Sequence, residues 1–211
     1  AIIIGTGIIG NSIAYEMALK GYKTLSVDKL SGSGFGSTSG SCAVIRLYYS
    51  SAEGVALARE GYYYWLDWPR YINAVDPDGL AYYRNTGAMV FKSSVNNNLV
   101  NVMTSLDELG IGYLELSPEQ MKPYLPPNAD LHSFYPQKCM EDPEFGAPTG
   151  DSINGAVFVP ECGYVNDPKL STHNVEMAAR NVGGDFLFNA QVTDILKKEG
   201  RAAGIVLKDG Q

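Results

Sequence analysis

Cysteine and histidine are scarce in this sequence, with three of the first and two of the second among 211 residues. Cys42, Cys139 and Cys162 are odd in number, widely spaced and outside any C-x-x-C pattern, which excludes a disulfide framework and a cysteine zinc site. A reducing compartment is expected, and with it a cytoplasmic location. His132 and His173 show no ligand-like spacing, so no metal site is predicted and both read as surface or hydrogen-bonded residues. Basic charge is also short: 16 Lys and Arg stand against 23 Asp and Glu, for a net charge of −7. Phosphate backbones need a cationic surface, so a nucleic-acid partner is excluded. No run approaches the roughly 18 apolar residues of a membrane span. No basic n-region precedes an apolar h-region either, and a soluble protein is expected.

Hydrophobic residues make up 45% of the chain, enough for a sizeable core in one large domain or two interleaved ones. Ala1 stands inside a strand pattern, and Gln211 follows "AAGIVLKDG", a strand running into a turn. Both ends read as cut, and a site built from a later stretch of polypeptide would lie outside this sequence.

Residues 1–4 read as a strand, 8–20 as a helix ending near Gly21, and 22–28 as a second strand. A Gly/Ser-rich loop (31–41) then leads into an apolar stretch ending at Arg46. Residues 51–72 have helical spacing with Pro69 near the end; 87–92 read as a strand and 96–110 as a helix stopped by Gly110. From 117 to 155 proline, glycine, aspartate and asparagine dominate, predicting irregular loop with one short helix near 118–124. A loop of that length suits a lid or an interface. Residues 155–167 read as a strand, 168–183 as a helix capped by Asp167 with Pro168 at its first position, and the remainder as a strand followed by a hairpin.

"GTGIIG" lies between the first strand and the first helix. Its first glycine permits a tight turn, the second lets a pyrophosphate approach the backbone, and the third lets helix pack on strand. The helix start then offers free N–H groups to phosphate. Asp28 ends the second strand, where a ribose hydroxyl is bound in such units. Dinucleotide binding is predicted for Gly5, Gly7, Ile9, Gly10, Asp28 and the adjoining Lys29, with a purely structural glycine turn as the alternative. The second glycine and serine loop, Gly32 to Ser41, exposes further donors where a nicotinamide enzyme usually continues its β/α alternation. A flexible linker is its other reading.

"GTGIIG", Asp28, "GSTSGSCAVIRLYYS" and "GAVFVPECGYVNDPKL", followed by "NAQVTDI" and "GRAAGIVLKDG", together resemble the flavin-dependent oxidoreductases of the D-amino-acid oxidase superfamily. The sarcosine oxidase and dimethylglycine dehydrogenase-like branch is the most similar, over nearly the whole chain. The resemblance implies an α/β fold: a discontinuous FAD-binding Rossmann-like domain (1–80 and 155–211) with a mixed α+β substrate domain (81–154). It implies FAD as cofactor, with Ser37, Thr38 and Ser39 beside the pyrophosphate and ribityl chain, and the backbone of Val192 against the adenine. Val192 reads equally as an ordinary strand residue. Arg46, expected on a buried segment where a guanidinium needs an anion, matches the arginine that grips the substrate carboxylate. An internal ion pair is the other reading.

Tyr48 and Tyr49 are candidates for the substrate pocket. Gly40 stands near the place of a flavin-linking histidine in related dehydrogenases, so covalent attachment through this loop is not expected, and Ser39 and Ala43 stand where sarcosine oxidases carry basic residues, which implies a different flavin reactivity and substrate size. The cluster "YYYWLDW" (62–68) suits core packing better than an aromatic cage. The implied activity is oxidation of a small amine or N-methyl amino acid by hydride transfer to FAD, as oxidase or dehydrogenase. A 2-hydroxy acid or glycerol phosphate as substrate, or a non-catalytic FAD-binding subunit, are the alternatives. The expected partners are a small-molecule amine or amino acid and a further copy or partner subunit.

Overall fold

Short apolar runs joined by a glycine turn and a helix fold into a parallel βαβ unit, because a parallel pair needs a crossover connection. In the computed structural model, which describes residues 1–131, 138–145, 147 and 152–208, strand β1 is Ile2–Ile4, helix α1 Ile8–Leu19 and strand β2 Leu25–Val27. Next come β3 (Val44–Ile45), α2 (Ala52–Leu66), α3 (Trp68–Ile72), β4 (Tyr83–Asn85), β5 (Ala88–Lys92) and α4 (Val100–Glu108). They are followed by β6 (Leu114–Leu116), α5 (Pro118–Met121), β7 (Gly155–Val159), β8 (Gly163–Val165) and α6 (Pro168–Asn181). The last strands are β9 (Asp185–Leu187), β10 (Val192–Lys198) and β11 (Arg201–Leu207).

The chain divides into two compact units. One comprises Ala1–Val44, Tyr64–Arg84 and Tyr164–Gln211, the other Ile45–Tyr63 and Asn85–Gly163. The bounds expected from sequence were 80/81 and 154/155, and they kept residues 45–63 with the first segment; here Ile45–Tyr63 group with the second unit.

In the first unit β1, β2 and β9 form a parallel sheet in that order, with Ile3 opposite Ser26 and Ser26 opposite Phe186. Helices α1 and α6 pack together. Their buried alanines, Ala14, Ala18, Ala178 and Ala179, allow close approach, since helix separation follows side-chain size at the contact. Ile3, Tyr15, Trp68, Ile72 and Val175 complete this core. Strands β10 and β11 form an antiparallel hairpin. Asp167 starts α6 as the spacing predicts, its Oδ1 accepting from the backbone N–H of Lys169 and Leu170, both at 2.9 Å.

The second unit holds an antiparallel sheet in the order β5-β7-β6, with Val90 opposite Val157 and Glu115 opposite Val157 on the other side. Met121, Ile153 and Ala156 form its small core, covered by Met89, Phe91 and Leu116. Ser117 and Gln120 make a reciprocal capping box on α5. The single strand expected over 155–167 is two strands, β7 and β8, parted by a turn at Pro160–Glu161, where proline cannot donate to a ladder. The helix expected over 51–72 is likewise two, broken at Asp67, with Pro69 in the first turn of α3.

Candidate functional site

The glycine turn is held from several sides. Gly5 has φ +99°, a left-handed conformation that a side chain resists. Its N–H donates to Val27 O at 2.8 Å. A Cβ on Gly10 would sit 1.9 Å from Gly5 O, so only glycine lets α1 pack this closely on the turn. Gly7 is the N-cap of α1 and brings no capping side chain. Instead Thr38, from the following glycine and serine loop, accepts from Ile8 N–H at 3.3 Å. Gly34 N–H donates to Thr6 O at 3.0 Å, so the second loop folds back onto the first. Ser37 and Ser39 are exposed, and Ser39 Oγ donates to Gly36 O. Ile9 is 75% exposed at the helix start.

Asp28 is shared with this loop. Its Oδ2 accepts from Thr6 N–H at 2.7 Å and Thr6 Oγ1 at 2.8 Å, and its Oδ1 from Leu30 N–H at 2.9 Å. Partial burial works to raise its pKa, but the bonds from Leu30 and Thr6 and the charge of Lys29 together hold it below the usual carboxylate range. Lys29 is exposed. It borders a cleft of about 460 Å³ with Leu30, Asn189, Ala190 and Gln191. Ala190 N–H donates to Asp28 O at 2.9 Å and Asn189 N–H to Leu30 O at 3.0 Å, which joins the two walls. Val192 adjoins this cleft, half-buried, paired with Leu207. Thr6 and the 189–191 turn were not read from the sequence. The one available signal for Thr6 was its place between the first two glycines.

Arg46 corrects an expectation. It is exposed, not buried. Beyond the two-residue β3 the side chains alternate, and Leu47 takes the inward place, 0% exposed, with its N–H donating to Cys162 Sγ at 3.3 Å. The Arg46 guanidinium lies 4.8 Å from the Tyr49 ring centre and 5.4 Å from that of Tyr48. Hydrogen bonding to Tyr49 raises its pKa, partly opposed by burial. The structure brings Arg46, Tyr48 and Tyr49 together. No described carboxylate forms an ion pair with this arginine.

In the aromatic run Tyr62 and Trp68 are buried while Tyr63 and Tyr64 are exposed. Trp65 stacks on Trp68 with ring centres 4.2 Å apart, which is core packing. His132 lies outside the described residues. His173, half-buried, places Nδ1 2.8 Å from Asp76 Oδ2.

A parallel βαβ unit, glycines that cradle the start of α1, and an acid at the end of β2 define a dinucleotide-binding protein of the Rossmann type. At Gly7 a Cβ would crowd Thr38 Oγ1 at 3.0 Å, so glycine there lets the second loop come close to the start of α1, where helix N–H groups suit a diphosphate. The chain belongs to the FAD dependent oxidoreductase family of D-amino-acid oxidase type, whose pattern matches residues 1–211, and its nucleotide is FAD. Among solved structures it is similar to L-proline dehydrogenase from P. horikoshii, at 19% identity and TM-score 0.74 over 99% of this chain and 49% of that one. Glycine oxidase from Geobacillus kaustophilus matches at 19% identity and TM-score 0.70, covering 99% and 51%. L-amino acid deaminase from Proteus vulgaris matches at 18% and 0.67, covering 99% and 44%. The chain thus spans about half the length of these proteins. No curated protein matches the sequence. Among the described residues, no helix is long and apolar enough to cross a membrane.

Proposed function

We propose that the protein oxidises a small amine or amino acid, an N-methyl amino acid included, with Arg46 holding the substrate carboxylate. The observation that carries this reading is the exposed guanidinium of Arg46, bracketed by Tyr48 and Tyr49 and without a described carboxylate partner. A planar two-pronged cation suits a carboxylate. The two rings fix its approach and present an apolar wall to the substrate's carbon chain. Proteins of similar fold named for proline, glycine and L-amino acids support the same substrate class.

Gly5, Gly7 and Gly10 bare the backbone for the diphosphate of FAD, and the start of α1 at Ile8 and Ile9 favours its negative charge. Asp28 and Lys29 would hold the ribose, Ser37, Thr38 and Ser39 would contribute hydroxyls near the pyrophosphate and ribityl chain, and the backbone of Val192 would meet the adenine. When bound, FAD would supply the redox chemistry, a hydride acceptor for oxidation of the substrate's C–N bond to an imine that water hydrolyses. Arg46 orients that carbon by fixing the carboxylate beside it.

Steady-state kinetics of Arg46→Met test the assignment. A lost charged hydrogen-bond pair is worth about 1.5–3 kcal/mol, so KM for carboxylate-bearing substrates rises roughly 10- to 100-fold while flavin absorbance per chain stays constant. Arg46→Lys recovers part of the loss. An unchanged KM removes Arg46 from the substrate site, and anaerobic flavin bleaching by 2-hydroxy acids but not by amines overturns the substrate class.

A further inference from the structure

Asp76, Asp78 and His173 meet in the first unit although 97 residues separate Asp76 from the histidine. Their ligand atoms lie within 4.8 Å of one another. The Asp76 side chain is 0% exposed, that of His173 32% and that of Asp78 72%. Asp76 Oδ2 lies 2.8 Å from His173 Nδ1 and accepts from Asn174 Nδ2 at 2.7 Å, while its Oδ1 accepts from Asp78 N–H at 2.9 Å. A carboxylate withdrawn from water needs a compensating charge. Among the described residues no lysine or arginine pairs with Asp76; its neighbours are His173, which offsets the charge only when protonated, and Asp78 of the same sign.

We propose that this cluster binds a divalent transition-metal ion of the Zn²⁺ class, ligated by one carboxylate oxygen each from Asp76 and Asp78 and by Nδ1 of His173. One imidazole nitrogen with two carboxylate oxygens is a donor set that Zn²⁺ accepts, at about 2.0–2.2 Å per bond. An ion at that distance from all three sets its ligand atoms roughly 3–3.5 Å apart. The His173 Nδ1 distances, 2.8 Å to Asp76 Oδ2 and 3.9 Å to Asp78 Oδ2, bracket that spacing, and the exposed Asp78 side chain is free to close in. Asn174 holds the Asp76 carboxylate in place, the outer-shell role that ligating carboxylates require.

A second observation is independent of these distances. Asp78 and His173 line a cleft of about 570 Å³ whose wall also carries Asp167, Lys169 and Glu176. The cleft gives an ion an entry path, and three protein ligands leave a coordination position open toward it. Ligation uses the Nδ1 lone pair, so His173 keeps its proton on Nε2 and exchanges its hydrogen bond to Asp76 for a shared ion.

The test is calorimetric titration of chelator-treated, FAD-loaded protein with Zn²⁺, paired with metal analysis after dialysis. One ion per chain is expected at micromolar Zn²⁺, with binding weakened tenfold or more in both Asp78→Asn and His173→Gln. Asp78 is exposed, so Asp78→Asn keeps the wild-type flavin spectrum and melting temperature and decides the matter should His173→Gln fail to fold. Absence of saturable uptake by the wild type, or uptake that Asp78→Asn leaves unchanged, overturns the site.

Discussion

Asp28 serves the glycine turn directly, beside the ribose contact proposed for it. Three donors from Thr6 and Leu30 converge on its carboxylate, so it stabilises the glycine turn whether or not a ribose is present. Because its folded pKa is lowered, ionisation favours the fold: its contribution is full above the unfolded pKa of about 3.9 and is lost as pH falls through the lower folded value. Asp28→Asn is therefore expected to cost roughly 1–2 kcal/mol at pH 7. The gap between wild type and variant should narrow as melting curves are taken below pH 4; a gap that stays constant down to pH 2 contradicts the assignment. The residue type and position were legible in the sequence. Its bonds to Thr6 were not, since they depend on how the turn closes in space. Arg46 is the opposite case: its apolar neighbours suggested burial, but Leu47 fills the inward place and leaves the guanidinium exposed.

At the scale of elements, α6 is secured by a polar hub as well as by its alanines. Asn174 is fully buried, and its Oδ1 accepts from Trp68 Nε1 at 3.1 Å and Ala81 N–H at 2.8 Å. Its Nδ2 donates to Asp76 Oδ2 at 2.7 Å and Gly79 O at 2.8 Å. The side chain thus ties α6 to α3 and to the 76–81 segment. Asn174→Ala strands several buried partners at once, each costing about 1–3 kcal/mol when unsatisfied, so a loss of roughly 3 kcal/mol or more is expected in urea unfolding. A loss under 1 kcal/mol would show that water replaces the amide. The helix itself could be read from its Asp-Pro start and its periodicity, whereas the hub could not, because nothing local marks a buried asparagine. The three-residue strands β4 and β6 escaped for a related reason: they are too short to show alternation and exist through pairing with distant partners.

For the whole molecule, an interleaved first domain was expected, but the points where the chain crosses between the two units were the least legible feature. The chain passes between them at 44/45, 63/64, 84/85 and 163/164, and the first two crossings fall inside "AVIR" and inside α2, where no glycine- or proline-rich stretch marks a boundary. The candidate cofactor residues, from Gly5 to Val192, all belong to the first unit, and Arg46, Tyr48 and Tyr49 to the second. FAD that binds only the folded first unit stabilises it by mass action, about 2.7 kcal/mol at a hundred times Kd. For a chain of 211 residues that corresponds to a rise of roughly 5–10 °C in melting temperature. Hydrogen exchange locates the effect: on adding FAD, the backbone amides of residues 5–11 and 28–30 and the 189–192 turn should exchange more slowly. Protection confined to β5, β6 and β7 of the second unit, or no rise in melting temperature with saturating FAD, would remove the glycine turn from the cofactor site.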